Sequence, residues 1–480
     1  MEERSRSWVK GQGILLLDGF GDKARMLKDS FRLAGFEGPV IVLAEEAFLP
    51  ADVMSIWRLA AEDEGSAPLP GTVRTAAAPE ASERAAYSLA HAGWKPGQSR
   101  YFDQIEAPDW WEISADGSSG KVRDMNHLRG RIYYAPIGRS RIAADVDWLD
   151  ESGIPRFTDH YDRNGALFAR TTFNGKGQRF CCTWFDSLGC ERVVSNYVTG
   201  DIILARGGQT LHFKDRARLA VAILEELGLA GERIFYNSLS WPLFVSERLG
   251  RKERDNVLFW QEGPRTDIPG NMQMILEGSS HTGKIYVQDK KSAAKLLELG
   301  AEPGYIFSCG FAYDFCRTNA ASDNVLICTN SDQIEGLDAI LDAQPEMCFH
   351  ICAVTEMSPK LMAEGARRNV HLHPVCTAAE FDSLFARCDW YLDINRGSEI
   401  VDALRRAFLA NQLILGFADT LHRPGFVDPG HVFQDAERLA EEISVIRSSA
   451  GAMSSHIARQ HAAAAAESPG RFRELISRRA

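Results

Sequence analysis

An aromatic residue, an Asp or Asn and a turn glycine return every twelve residues between Arg156 and Phe213, and that period limits what the chain can become. Tyr161-Asp162-Arg163-Asn164-Gly165, Phe173-Asn174-Gly175-Lys176-Gly177 and Phe185-Asp186-Ser187-Leu188-Gly189 begin twelve residues apart, and Tyr197-Val198-Thr199-Gly200-Asp201 follows after another twelve. This is hairpin spacing. Between the turns, Ala169-Arg170-Thr171-Thr172-Phe173 and Arg192-Val193-Val194-Ser195-Asn196-Tyr197 alternate in polarity and are rich in β-branched and aromatic residues, as strands with one buried face are. An antiparallel meander is predicted. Its apolar face must lie on another element, and its open edges invite a partner strand or subunit. Two readings stay open for it: a local β subdomain, or a docking surface whose candidate residues are Tyr161, Phe173, Trp184, Phe185 and Tyr197.

On either side of the meander the periodicity changes to that of an α/β sheet. Gly13-Ile14-Leu15-Leu16-Leu17-Asp18 and Pro39-Val40-Ile41-Val42-Leu43 read as buried strands around a helix from Asp22 to Ala34. Gly19 and Gly21 in the first turn are expected to serve the turn, because they do not complete a phosphate-binding GxGxxG fingerprint. Ala60 to Gly97 reads as a variable connection with one helix. Two strands, around Trp110-Trp111-Glu112-Ile113 and Arg131-Ile132-Tyr133-Tyr134, lead into the meander. A helix from Asp215 to Leu227 follows it, then strands at Arg233–Tyr236, Asn256–Trp260 and Lys284–Val287. A second α/β set has strands at Val325–Cys328, Cys348–Ile351, Val370–His373, Trp390–Asp393 and Leu413–Gly416, with helices from Ile334 to Leu341 and Ile400 to Ala410. The last stretch, from Ala436, is read as helical, its Ala462 to Ala466 run being helix or frayed tail. The expected organisation is a first Rossmann-like lobe from residues 1–75 and 214–320, an inserted β-sheet domain over 76–213, a second lobe over 321–445 and a helical segment over 446–480. Two such lobes face one another across a cleft.

Composition excludes several function classes. A net charge of −11 over 480 residues argues against a nucleic-acid surface. No basic leader with an apolar core opens the sequence and no apolar run approaches the length of a membrane span, so a cytoplasmic location is expected. Ten cysteines occur without a CxxC pair, which points to reduced thiols and away from a disulfide scaffold or structural zinc.

The stretches Asp18 to Pro50, Trp111 to Ile203, Phe235-Tyr236-Asn237-Ser238-Leu239-Ser240, Phe259-Trp260-Gln261-Glu262, Pro269-Gly270-Asn271-Met272-Gln273, Thr329-Asn330-Ser331-Asp332-Gln333, Thr355-Glu356-Met357-Ser358 and Tyr391-Leu392-Asp393-Ile394-Asn395 resemble the glycosyltransferase-stabilising subunits of the bacterial accessory Sec system. The resemblance implies a two-lobed GT-B arrangement with an added β-sheet domain. It also implies a catalytic sibling that transfers N-acetylglucosamine from its UDP sugar to Ser and Thr of serine-rich repeat adhesins, a stabilising chain that engages the acceptor polypeptide, and a hetero-oligomer that is peripheral to the membrane through the secretion machinery.

Whether such a chain is itself an enzyme depends on donor-binding residues, since the fold alone does not decide it. Retaining transferases of this fold hold the donor pyrophosphate with an Arg and a Lys five residues apart, after the first strand of the second lobe. Here those places fall at Asn330 and Glu335, and an acidic side chain facing a diphosphate reverses the sign of the interaction. Their two glutamates near the sugar and ribose fall at Ser398 and Arg406, with Glu399 one place off. The expectation is a non-catalytic subunit that needs no cofactor; the alternative is an active retaining UDP-sugar transferase using the same cleft. The acceptor-cleft candidates are Asn330, Glu356, Asn395, Arg396, Ser398, Glu399 and Arg406.

Other signals read as structural. Asp159 and His160 are adjacent on a strand and point to opposite faces, which favours cross-strand pairing over acid–base chemistry. His371 and His373 share a strand face without an evident third ligand and read as core or edge histidines. Cys181 and Cys182 read as strand residues. Trp110, Trp111 and Trp184 are either core or partner-facing.

Overall fold

A computed structural model describes residues 11–62, 95, 97–136, 140–249 and 253–477. Strands β1 (Ile14–Leu17), β2 (Val40–Val42) and β3 (Met54–Ser55) open the chain. Ten antiparallel strands follow: β4 (Glu112–Ala115), β5 (Ser119–Asp124), β6 (His127–Tyr134), β7 (Ala143–Leu149), β8 (Pro155–Tyr161), β9 (Leu167–Phe173), β10 (Arg179–Phe185), β11 (Glu191–Asn196), β12 (Ile202–Arg206) and β13 (Gln209–Phe213). The first lobe then resumes with β14 (Ile234–Tyr236), β15 (Asn256–Trp260), β16 (Thr282–Val287) and β17 (Ile306–Ser308). Its parallel sheet runs β17-β16-β15-β14-β1-β2-β3, so the ten-stranded sheet is an insertion between two halves of one lobe. Because both faces are covered, β1 and β15 are buried along their whole length, and apart from Asn256 at the start of β15 they read as apolar runs.

The sheet is longer than the sequence suggests. Four strands, β4 to β7, precede the meander where two were expected, and the helix expected in the Ala60 to Gly97 connection lies outside the described residues. Its turns repeat one device. Asp150, Asp162, Asn174 and Asp186 each accept two downstream backbone N–H groups on Oδ1, and each is followed three residues later by a glycine at φ 72–78°. The side chain closes an Asx turn and the glycine takes the left-handed position that ends it. The fifth turn is one residue longer: Gly200 donates to the carbonyl of Asn196.

The apolar face of the meander completes the first lobe's core. Phe168, Ala169, Cys182, Trp184, Val193, Ile202 and Leu204 share a buried cluster with Ile14, Leu16 and the helix Ile56–Ala61. Trp184 stacks on Trp57 with ring centroids 4.2 Å apart and planes within 6°. Arg58 lies over the Phe168 ring at 4.1 Å and donates to Asp162 Oδ2 at 3.2 Å, so one cation seals the edge of the contact.

The remaining strands, which make up the second lobe and its seam with the first, are β18 (Phe311–Ala312), β19 (Asn324–Cys328), β20 (Cys348–Cys352), β21 (Val370–His373), β22 (Trp390–Asp393), β23 (Leu413–Phe417), β24 (Val432–Phe433) and β25 (Ala466–Glu467). Six of these form a parallel sheet in the order β21-β20-β19-β22-β23-β24, and β18 pairs with β25 alone. Two expected helices start late. The one expected from Ile334 begins at Leu337, because Ile334 bridges Asn395 and Gly336 is left-handed. The one expected from Ile400 begins at Ala403, after Val401 and Asp402 at φ 48° and 55°. The Ala462 to Ala466 run is also not one helix: the helix ends at Ala463, Ala465 turns at φ 50°, and Ala466-Glu467 is strand β25. Helix Pro469–Ser477 then crosses back to the first lobe, where Phe472 packs on Phe31 and Phe259.

Candidate functional site

In an open parallel sheet, ligand groups gather beyond the C-terminal strand ends where the strand order reverses. In the second lobe the reversal lies between β19 and β22, and the residues that follow them are Thr329-Asn330-Ser331 and Ile394-Asn395. Asn395, 2% exposed, is the hub. Its Oδ1 accepts from Thr329 Oγ1 at 2.9 Å, Ser331 Oγ at 3.2 Å and the Gly397 N–H at 3.0 Å, while its Nδ2 donates to Asn330 Oδ1 at 3.4 Å. Gly397 is required by this closeness, because a Cβ there would stand 1.8 Å from Asn330 Oδ1. Glu335, at the place of the donor-binding Lys, is joined to Arg396 at 2.6 Å, and Arg396 also reaches Asp419 at 2.8 Å. The switch point is thus a closed amide network beside a compensated ion pair.

Between the lobes lies a cleft of about 1500 Å³. Of the seven acceptor candidates, Glu399 lines it; Asn330, Glu356, Asn395, Arg396, Ser398 and Arg406 do not. Glu399 accepts from the Leu404 N–H at 3.0 Å and from Arg423 Nε at 2.8 Å, so it caps a helix and orients a cation. Arg406 points away from the cleft: its guanidinium lies over Phe385 at 4.2 Å and joins Asp382. A helix period of 3.6 separates it by about 100° from its neighbour Arg405, which takes the cleft side of helix Ala403–Leu409. Glu356 and Ser398 are exposed on loops.

Residues absent from the sequence reading complete the cleft. Lys23, Arg25, Lys290 and Lys291 come from the first turns of two first-lobe helices, Arg163 from a meander turn, and Arg405, His422 and Arg423 from the second lobe. No motif joins them, since they lie on segments far apart in the chain. His422 donates from Nδ1 to Asp393 Oδ1 and from Nε2 to the Gly397 carbonyl, both at 2.7 Å. Both partners only accept, so both ring nitrogens carry protons, and the hydrogen bond to Asp393 pushes the imidazolium pKa up to about 9. A raised folded-state pKa contributes stability that is fully present below the unfolded value near 6.5 and is lost as pH rises through about 9. After discounting for solvent screening, the stability advantage of wild type over His422→Gln is expected to fall by roughly 1–2 kcal/mol between pH 6.5 and 9.5. Urea unfolding at both pH values measures it; a constant difference refutes the charged pair.

Three docking candidates are buried. Tyr161 and Trp184 are each 2% exposed and Phe185 is 6% exposed, so none is available to a partner. The two ladders slip because β9 and β11 each carry an extra residue, Phe168 and Arg192, while Trp184 packs into the first-lobe core and Tyr161 into a separate cluster with Ile105, Val122 and Ile132. Phe173 is half-buried, and Tyr197 is exposed beside Phe180 and Val198. Trp110 is exposed and Trp111 packs near Trp148. Asp159 and His160 form cross-strand pairs, with Arg170 and Asp145. His371 and His373 sit on edge strand β21 around His350, and no metal-binding group occurs among the described residues. Among those residues no helix is long and apolar enough to cross a membrane.

Family models match almost the whole described chain: the GtfB N-terminal domain at residues 14–59, the GtfB middle domain at 111–214, the GtfB third domain at 216–299 and the GftB/GlyA-F C-terminal domain at 325–460. A Streptococcus gordonii protein named UDP-N-acetylglucosamine–peptide N-acetylglucosaminyltransferase stabilizing protein GtfB is 35% identical over 437 residues, 90% of each chain. The chain belongs to the GtfB family. The Streptococcus pneumoniae GtfB is 33% identical over 93% of this chain and 95% of its own. A chain in the crystal structure of a GtfA/B complex bound to UDP and GlcNAc matches with a TM-score of 0.82 at 33% identity, covering 97% of this chain and 99% of that one. The GT-B-like pair of lobes with its inserted antiparallel sheet is therefore a GtfB-family fold.

Proposed function

We propose that this chain is the non-catalytic stabilising subunit of a protein O-N-acetylglucosaminyltransferase, and that it holds a Ser/Thr-rich adhesin polypeptide for a catalytic sibling before export by the accessory Sec system. The observation that carries the reading is the end-to-end similarity to proteins named as transferase-stabilising, at 35% identity over 90% of the chain. The second lobe supports it: the donor-phosphate positions hold Asn330, tied to Asn395, and Glu335, neutralised by Arg396. Catalysis then belongs to the sibling, and no cofactor is required here. The division into two lobes, inserted sheet and C-terminal segment belongs to this reading, as does a cytoplasmic complex held peripherally at the membrane by the secretion machinery.

A flexible acceptor with few apolar anchors loses entropy on ordering, so a second subunit that adds contact area raises its occupancy. The exposed apolar patch around the β11–β12 turn of the inserted sheet is the proposed docking surface for the sibling, centred on Tyr197, Phe180 and Val198, which are 47%, 44% and 71% exposed. Burying a charge in such a contact is costly. Tyr197→Glu is expected to weaken association with the co-expressed transferase at least about tenfold, read by co-purification and analytical ultracentrifugation. Wild-type association by a folded Tyr197→Glu chain refutes the docking face; a transferase that is stable and fully active without this chain refutes the subunit reading.

A further inference from the structure

The chain carries a net charge of −11, yet the wall of the interlobe cleft holds seven Lys and Arg against four Asp and Glu. The excess is not spread evenly. On the second-lobe side, Arg405 joins Asp29 and Asp402, and Arg423 joins Glu399, Asp402 and Asp22, so those cations are already compensated. On the other side, among the described residues, Arg25, Arg163, Lys290 and Lys291 pair with no carboxylate, and all four are exposed. Lys23 is occupied through a hydrogen bond from Nζ to the Gln261 carbonyl.

Like charges held at one wall repel each other, and a cleft between low-dielectric walls focuses their field onto whatever enters. An anionic ligand relieves that repulsion. Its shape follows from where the cations stand. Arg25 is in the first turn of helix Asp22–Leu33, Lys290 and Lys291 open helix Lys290–Glu298, and Arg163 is at the tip of the β8–β9 turn in the inserted sheet. A diphosphate is gripped by donors that converge on one point. These four stand on three separate elements, and the cleft, at about 1500 Å³, exceeds the 300–1000 Å³ that small ligands take. An extended chain with anionic groups at intervals fits both facts.

We infer that the cleft selects acidic acceptor segments: an extended Ser/Thr-rich polypeptide with Asp or Glu interspersed, its carboxylates meeting Arg25, Arg163, Lys290 and Lys291 along the wall formed by the first lobe and the inserted sheet. This rests on the acceptor-holding role proposed above and adds a charge rule to it. Exposed cations contribute little singly but act together along a chain, and their contribution is screened as the Debye length shortens from about 10 Å at 0.1 M salt to about 3 Å at 1 M.

The test uses the full chain in complex with its transferase and two fluorescent peptides of about sixteen residues, one Ser/Thr-rich with Glu at every fourth position and one with Gln there instead. Fluorescence anisotropy at 0.05 M salt is expected to show the Glu peptide bound about tenfold more tightly, an advantage that disappears at 0.5 M salt. The triple variant R25E/K290E/K291E, checked for unchanged melting temperature and transferase association, is expected to lose that tenfold advantage while binding the Gln peptide as wild type does. Equal affinity for the two peptides at low salt overturns the charge rule and leaves acceptor binding standing. Absence of binding by either peptide overturns both. Displacement of the Glu peptide by inorganic pyrophosphate at a concentration equal to that of its carboxylates overturns the extended-chain reading in favour of a compact diphosphate site.

Discussion

Replacing Trp184 with Ala is expected to lower the unfolding free energy by about 3–5 kcal/mol, the range for truncating a buried aromatic. Three interactions end together. The ring leaves its stack on Trp57, a 4.2 Å contact that adds about 0.5–1.5 kcal/mol to the burial of its area. The contact between β10 and helix Ile56–Ala61 acquires a cavity. Glu45, whose carboxyl is pushed above the usual range by burial, loses the indole N–H that it accepts. Trp184→Phe separates the terms: it keeps the apolar stack and removes the donor, with an expected cost of about 1–2 kcal/mol. Guanidinium unfolding followed by far-ultraviolet circular dichroism measures both. A Trp184→Ala chain within 1 kcal/mol of wild type would show that the inserted sheet does not depend on this anchor.

Gly310→Ala is expected to act at the seam between the lobes and to cost about 1–3 kcal/mol, the usual range for overpacking. A Cβ on residue 310 would stand 1.6 Å from the Ala465 carbonyl oxygen, which is backbone and cannot rotate aside. That oxygen accepts the Phe311 N–H at 3.0 Å in the β18–β25 pair, and Ala465 itself turns at φ 50° to reach it. Separation of the pair frees helix Pro469–Ser477, whose Phe472 is fully buried against the first lobe. Amide exchange should therefore accelerate in residues 466–477 more than in β15. Gly231→Ala, with nothing within 4 Å of its added Cβ, is the control and should stay within about 0.5 kcal/mol. Uniform acceleration across the chain, or none, would refute the seam.

Much of the fold was legible. Strand β15 coincides with the five residues read from Asn256-Val257-Leu258-Phe259-Trp260, because a strand buried on both faces is nearly all apolar, its one polar member Asn256 being hydrogen-bonded to the Ile234 N–H and to Ser246. The meander was legible because each Asx turn needs a carboxylate or amide and, three residues on, a residue tolerant of positive φ. Where the reading failed, a tertiary contact overrode a local pattern. Val401 and Asp402 belong to a good helical period, yet both are left-handed where Glu399 caps the shortened helix and holds Arg423. The site was less legible still. Asn330 stood out because it falls at a donor-phosphate position of retaining transferases, and Asn395 because it follows the end of a strand, but the cations facing the cleft come from residues 23–25, 163, 290–291 and 405–423, and no spacing rule links them.

What the sequence determined by itself was the set of elements and their order: hydrophobic period and turn chemistry are properties of neighbours along the chain. Which side chains face a partner, a core or the cleft was decided only in three dimensions. Side chains on a strand alternate, so one extra residue in a ladder breaks the alternation, as at the consecutive Phe168 and Ala169, which both enter the first-lobe core. Charge behaves likewise: an acidic chain presents a cationic wall because folding brings a few lysines and arginines together while the carboxylates nearest them are occupied by other partners.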